Sequence, residues 1–130
     1  MVMTSTDAAR LRAPGPPGAA ITCTKTVFGA VACRVDGDLD IESAPVISRA
    51  LRDAVGQVQR PGELFVDLGS VSYFGAAGVT TLLRLREAAV AARVPLVLVA
   101  PSPMVRRVLE MTATCRLFTI VSRLQAVEAH

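Results

Sequence analysis

The sequence predicts an α/β domain, a mixed four- to five-stranded β-sheet packed by about four α-helices. Three observations predict it. The runs Leu64-Phe65-Val66-Asp67-Leu68 and Leu96-Val97-Leu98-Val99 are short, almost wholly apolar and bounded by turn residues, as strands buried within a sheet are. Longer stretches before, between and after them carry apolar residues at helical spacing. The composition supplies the matching core: 52% of the 130 residues are hydrophobic but only 4% aromatic, so the interior is built from Val, Leu, Ile and Ala. A chain of this length is one domain with a real core, needing neither disulfide nor metal to hold it.

The elements follow in order. Residues 1–18 are expected to be a flexible tail, because Ala13-Pro14-Gly15-Pro16-Pro17-Gly18 is rich in breakers and has no apolar period; the domain is residues 19–130. Residues 21–26 and 30–35 read as two short strands with Phe28-Gly29 at a hairpin turn. In the second, Val31, Cys33 and Val35 alternate with Ala32, Arg34 and Asp36. Gly37-Asp38-Leu39-Asp40 closes that strand, and Ser43 caps a helix with Pro45 in its first turn. Ile47, Leu51, Ala54, Val55 and Val58 form its buried stripe, and the helix stops before Arg60-Pro61. The central strand at 64–68 gives way to a loop over 69–78, then to a helix over 79–92 that buries Gly78, Leu82, Leu85 and Ala89. After the strand at 96–99, Ser102 and Pro103 open a helix with Val105, Val108, Leu109 and Thr112 inward. A strand at 117–121 and a helix at 122–129 finish the chain. Such alternation implies a largely parallel or mixed sheet.

Composition also excludes. A spanning helix needs about 20 apolar residues, but the longest strongly apolar run is 94–100, and Arg84, Arg86, Glu87 and Arg93 interrupt what precedes it. No apolar N-terminal segment reads as a signal peptide, so a cytoplasmic protein without membrane contact is expected. The formal charge of +3 is spread over scattered arginines with no aromatic interleaving, so no nucleic-acid partner is expected. Cys23, Cys33 and Cys115 have no paired spacing of a zinc site. A hairpin centred on Val27-Phe28 places Cys23 opposite Ala32, with Cys33 on the other face, so no disulfide is expected. His130, the sole histidine, is terminal and assembles no catalytic triad. Asp38 and Asp40 fit turn and capping roles, and Asp67, an acid in an apolar strand, must be paired or at its exposed face. The chain is therefore read as a non-enzyme with no cofactor and no metal.

Four segments, in order, carry a resemblance: Gly37-Asp38-Leu39-Asp40; Leu64 through Val71; Phe74-Gly75-Ala76-Ala77-Gly78-Val79; and Ser102-Pro103 leading to Arg107, Leu109 and Met111. Together they resemble the STAS domain of anti-sigma factor antagonists across residues 20–128. The resemblance implies a STAS fold and a binding function. Such a domain binds an anti-sigma factor, usually a serine kinase of the GHKL ATPase class, and releases its sigma factor. The kinase breaks the complex by phosphorylating a serine at the start of the helix after the central strand, and a phosphatase resets it. By this resemblance the anti-sigma-factor-binding residues are Asp38, Asp40, Ser72, Tyr73, Phe74, Gly75, Ala76, Ala77, Gly78, Thr80 and Thr81. A weak homodimer is the only self-association expected. The alternative within the family is a scaffold of a stressosome-like complex, which would assemble into large particles.

The chain departs from the family pattern at the switch itself. The family's aspartate falls on Gly75, its first serine on Ala76 and its phosphorylated serine or threonine on Ala77. Alanine has no hydroxyl, so Ala77 cannot be phosphorylated. Three forms of control stay open: constitutive binding; relocation to Ser70, Ser72, Thr80 or Thr81, whose hydroxyls otherwise cap or solvate the loop; and redox control at Cys115, which takes an acidic position of the family beside Arg116, a cation able to favour the thiolate.

Overall fold

The computed structural model describes residues 18–26 and 28–123. The elements are β1 (Ala19–Lys25), β2 (Val31–Leu39), α1 (Ala44–Val55), β3 (Leu64–Phe74), α2 (Ala76–Ala92), β4 (Leu96–Val99), α3 (Pro103–Met111), a 3-10 turn (Cys115–Leu117) and β5 (Thr119–Val121). The strands form one five-stranded sheet in the order β1-β2-β3-β4-β5. β1 is antiparallel to β2, and every other neighbour pair is parallel. The mixed sheet and the helices between its parallel strands agree with the sequence reading. Three α-helices are described; the helix expected over 122–129 lies mostly outside the described residues, as does the expected tail.

One core cluster ties all three helices to one face of the sheet. Ile21, Cys23, Val31, Cys33, Val35, Leu64, Val66 and Leu98 supply its floor. Ile47 and Leu51 of α1, Leu82 and Leu85 of α2, and Val105 and Leu109 of α3 supply its roof. Fully burying each such side chain is worth about 1.5–3 kcal/mol. The opposite face carries a smaller cluster, Ala30, Phe65 and Val99, with Val97, Ala100 and Val121 against it. Asp67 also points to that face, where its Oδ2 meets Arg123 Nη1 at 2.6 Å and its Oδ1 accepts the Gly69 N–H. That pair supplies the partner an acid in an apolar strand requires.

Helix ends are set locally. Ser102 Oγ accepts the Val105 N–H with Pro103 in the first turn of α3, as the sequence predicts. At the C-terminus of α2, Arg60 Nη2 donates to the Ala92 carbonyl at 2.7 Å, placing a cation on the negative end of the helix. Thr112 is exposed, not inward, because its hydroxyl turns back to the Val108 carbonyl of α3. Residues 115–117, in part assigned to the last strand, coil into the 3-10 turn, and only Thr119–Val121 pair with β4.

Two sequence expectations fail, one at the β1–β2 hairpin and one at the β2–β3 pairing. The hairpin loop runs from Thr26 to Ala30, with Thr26 N–H bonded to the Ala30 carbonyl and Gly29 at φ 86°. A loop with an odd number of residues that ends on a left-handed glycine is a common hairpin form. It centres the hairpin on Phe28, so Cys23 pairs with Cys33 and Thr24 with Ala32. Cys23 and Cys33 therefore lie side by side, 4.0 Å apart at Cα, and are joined by a disulfide. The expectation of no bond rested on a centre half a residue away.

The second concerns strand length. β2 runs through Gly37 and Asp38 to Leu39, and β3 continues past Leu68 to Phe74, where closing residues and a loop were expected. The alternation that marks a strand is broken because β3 bulges twice. Arg34 pairs with Asp67 but Asp36 with Ser70, and Gly37 pairs with Val71 but Asp38 with Tyr73. Each bulge adds a residue to β3 and reverses which side chains face the core. Leu64 and Val66 face it before the first bulge, Leu68 at that bulge, Val71 between the two and Phe74 after the second.

Candidate functional site

The C-terminal ends of β2 and β3 and the first turn of α2 meet at one end of the sheet. Register places Asp38 beside Tyr73 and Leu39 beside Phe74. Beyond Leu39 the chain turns on Asp40, whose Oδ1 accepts the N–H groups of both Glu42 and Ser43 at 3.0 Å. These bonds, with Ser43 first, hold the Asp40 carboxyl below its ordinary pKa. Ser43 is the residue before α1, as expected, but its hydroxyl does not cap the helix. It donates to the Asp38 carbonyl at 2.7 Å and accepts the Asp40 N–H at 3.1 Å. The Asp40 carboxylate and the buried Ser43 together fix the loop that carries Ile41 outward, 81% exposed.

The β3–α2 junction is tight. Gly75 is extended at the helix start, and its carbonyl accepts the N–H groups of Gly78 and Val79. Phe74 is 1% exposed and lies directly under Gly78, where a Cβ would come within 2.5 Å of its ring. Glycine at 78 lets the first turn of α2 sit down on that ring. The bulges leave Ser72 and Tyr73 both at the surface, with Tyr73 48% exposed.

The predicted binding residues divide accordingly. Ser72, Tyr73, Ala76 and Thr80 are exposed, and Asp38, Asp40, Gly75 and Ala77 are half-buried. Phe74, Gly78 and Thr81 are buried, so they shape the surface without facing it. The Thr81 hydroxyl donates to the Ala77 carbonyl at 2.8 Å, one turn back. Ser70 is likewise engaged, accepting from Arg34 Nη2 at 2.9 Å on the far side of the sheet. Of the hydroxyls considered as substitutes for the missing one, those of Ser72 and Thr80 stand on exposed residues of this end. Cys115, the free cysteine, opens the 3-10 turn, partly buried against the main core.

One feature escaped the sequence reading. A groove of 820 Å³ runs between α1 and the start of α2, and Ala77 and Thr80 form part of one wall. Arg49 and Arg52 of α1 and Arg84 of α2 line it, with Asp53 as the acidic counterpart. Cys23 reaches it from β1. The arginines stand on the outward faces of two helices far apart in sequence, so no local pattern marks them as neighbours. Among the described residues, no group of three or more His, Cys, Asp or Glu could hold a metal ion, and no helix is long and apolar enough to cross a membrane.

Comparison with known proteins is consistent with this architecture. The family model of the STAS domain matches residues 22–127. No curated protein matches the chain. Among solved structures, an anti-sigma factor antagonist from Mycobacterium paratuberculosis superposes with a TM-score of 0.72 at 21% identity, over 88% of this chain and 97% of that one. The unphosphorylated anti-sigma factor antagonist SpoIIAA gives 0.68 at 20% identity over 85% and 95%. The phosphorylated form of the Bacillus cell fate determinant SpoIIAA gives 0.64 at 20% identity over 85% and 98%. At these identities the likeness is one of fold.

Proposed function

The chain belongs to the STAS domain family, and on that premise we propose that it is an anti-sigma factor antagonist. It binds an anti-sigma factor, a serine kinase of the GHKL class, and so releases a sigma factor for transcription inside the cell. Its role is to bind, not to catalyse. The observation that carries this reading is the β3–α2 junction. There the family's switch position, Ala77, stands at a helix start on the wall of an open groove, with Asp38, Asp40 and Tyr73 on adjoining backbone.

The physics of that position explains what the alanine changes. A helix N-terminus presents unpaired N–H groups and the positive end of the macrodipole, so the domain itself would tolerate a phosphate there. A docked partner would meet up to two added negative charges and lose its fit. Ala77 cannot receive that phosphate, so binding is constitutive with respect to this residue. Ile41 and Tyr73 supply exposed apolar contact at this end, and an aromatic anchor such as Tyr73 carries much of an interface's energy. Immobilised protein should retain a GHKL kinase encoded by the same genome and release that kinase's sigma factor. Failure to retain any of these kinases, in reducing and in oxidising buffer alike, would overturn the proposal; elution of the free protein as a large particle on size exclusion would favour a scaffold.

A further inference from the structure

We propose that Cys23 and Cys33 form a redox centre, a thiol–disulfide exchange site for a dithiol reductant, reached through the groove between α1 and α2. The bond joins directly opposed residues of β1 and β2. It closes a hairpin that the ladder from Ala19 to Gly37 and the Thr26–Ala30 turn already close, so it holds together nothing that the hydrogen bonds do not. The stabilisation expected of a disulfide is smallest for short loops. The position of the bond is more informative. Cys33 is sealed, 1% exposed, while Cys23, 9% exposed, lines the groove. Of the two residues, the open groove reaches Cys23 and not Cys33.

That asymmetry sets the chemistry. A thiolate of the dithiol attacks Cys23 Sγ, forming a mixed disulfide as the Cys23–Cys33 bond breaks and Cys33 leaves as a thiolate. The reductant's second thiol then attacks its own sulfur in the mixed disulfide and releases Cys23. The protein disulfide gains two electrons, the dithiol is oxidised to a disulfide, and its two protons end on Cys23 and Cys33. Bonded sulfurs sit about 2 Å apart, but unbonded heavy atoms in contact need roughly 3.5–4 Å. Both sulfurs lie in the main core under α1, which packs on β1 and β2. Cys33 is enclosed, so the added room comes from the edge strand β1 and from α1, one wall of the groove. The oxidation state of the pair therefore sets the shape of the groove that Ala77 borders. The consequence for partner binding rests on the function proposed above; the exchange and the change of shape do not.

The test uses the Cys115→Ser protein, in which the pair alone remains. Isolated in air, the folded protein should show no alkylatable thiol, and dithiothreitol without denaturant should raise its mass by two hydrogens and expose two. Amide resonances of Ala50, Ala54, Ala77 and Thr81 should shift on reduction, while those of β4 and β5 stay in place. With each cysteine alone, folded Cys33→Ser should alkylate at Cys23 about tenfold faster or more than folded Cys23→Ser does at Cys33, as burial protects the latter. Two free thiols under air, a bond that yields only on unfolding, reduction that leaves the groove resonances unmoved, or faster labelling of Cys33 would each overturn the proposal. None of these readouts involves the kinase, so their failure is distinct from a failure of partner binding.

Discussion

Tyr73 folds its ring back over Gly75. A Cβ built at Gly75 would lie 2.8 Å from the Tyr73 hydroxyl oxygen and 3.2 Å from its ring. The space beside Gly75 is thus filled from two residues upstream, by a side chain free to leave, since Tyr73 is 48% exposed.

An acid at position 75 should therefore be tolerated. Gly75→Asp forces the ring outward, a rotamer change of roughly 0.5–1.5 kcal/mol. It also places a carboxylate at the N-cap of α2, where no side chain now caps the helix, returning a few tenths of a kcal/mol plus a favourable dipole term. The net change in stability should stay within about 1 kcal/mol by urea denaturation. Tyr73 is the only tyrosine and there is no tryptophan, so the tyrosine fluorescence reports this ring alone and should change. A loss well beyond that range would mean that Tyr73 is held where it lies.

Gly78 presents the opposite case. Its Cβ would meet Phe74 Cε1 at 2.5 Å and Cδ1 at 2.6 Å, and Phe74 has no room to yield. Alanine for glycine inside a helix gains up to about 1 kcal/mol in propensity, whereas overpacking a closed core costs about 1–3 kcal/mol. The clash should win, and Gly78→Ala should lower the urea midpoint with a net loss of about 1–2 kcal/mol. Ala76→Gly, in the same turn but exposed, should lose only about 0.5–1 kcal/mol of propensity. A neutral or stabilising Gly78→Ala would show that α2 does not rest on Phe74.

These residues show where the sequence was legible. Continuous apolar runs placed the cores of β3 and β4, and helical spacing placed the buried stripes of the helices apart from Thr112, because those signals are local. The extension of β3 to Phe74 was hidden because two bulges each shift the alternation by one residue, so Ser72 and Tyr73 read as loop. The Cys23–Cys33 pairing turned on the hairpin centre, and moving it half a residue carries Cys23 from facing Ala32 to facing Cys33. The segment resemblance points to Ala77 as the counterpart of the family's switch residue, but the groove beside it depends on how α1 packs against α2. Nothing in either helix alone fixes Arg49 and Arg84 across one cleft.

Asp40 makes stability depend on pH in a stated direction. The Ser43 and Glu42 N–H groups favour its ionised form and hold its folded pKa below the ordinary value of 3.8. With the folded value depressed, the contribution is complete above the unfolded pKa and is lost as pH falls through the folded one. Asp40→Asn keeps an oxygen acceptor but cannot titrate. Denaturant midpoints measured down the acid limb should fall less steeply below about pH 4 in the variant than in the parent, with the two curves parallel from pH 5 to 7. Parallel curves throughout would show that the loop bonds do not distinguish the charged carboxyl from the amide.

Ala77→Ser should restore what the sequence lacks. The site is half-buried in the first turn of α2, and a serine hydroxyl adds one small polar atom beside open groove, so stability should change by less than about 1 kcal/mol. Incubated with a GHKL kinase that binds the parent protein, and with ATP, the variant should gain one phosphate at residue 77, read by mass spectrometry, while the parent gains none there. The phosphorylated variant, and separately Ala77→Glu, should bind that kinase at least about tenfold more weakly, a difference of about 1.4 kcal/mol. The added charge faces the partner while the helix N-terminus accommodates it within the domain. Stoichiometric phosphate on Ser72 or Thr80 of the parent would instead place the switch on a neighbouring hydroxyl. Undiminished binding of Ala77→Glu would show that the partner does not cover the start of α2.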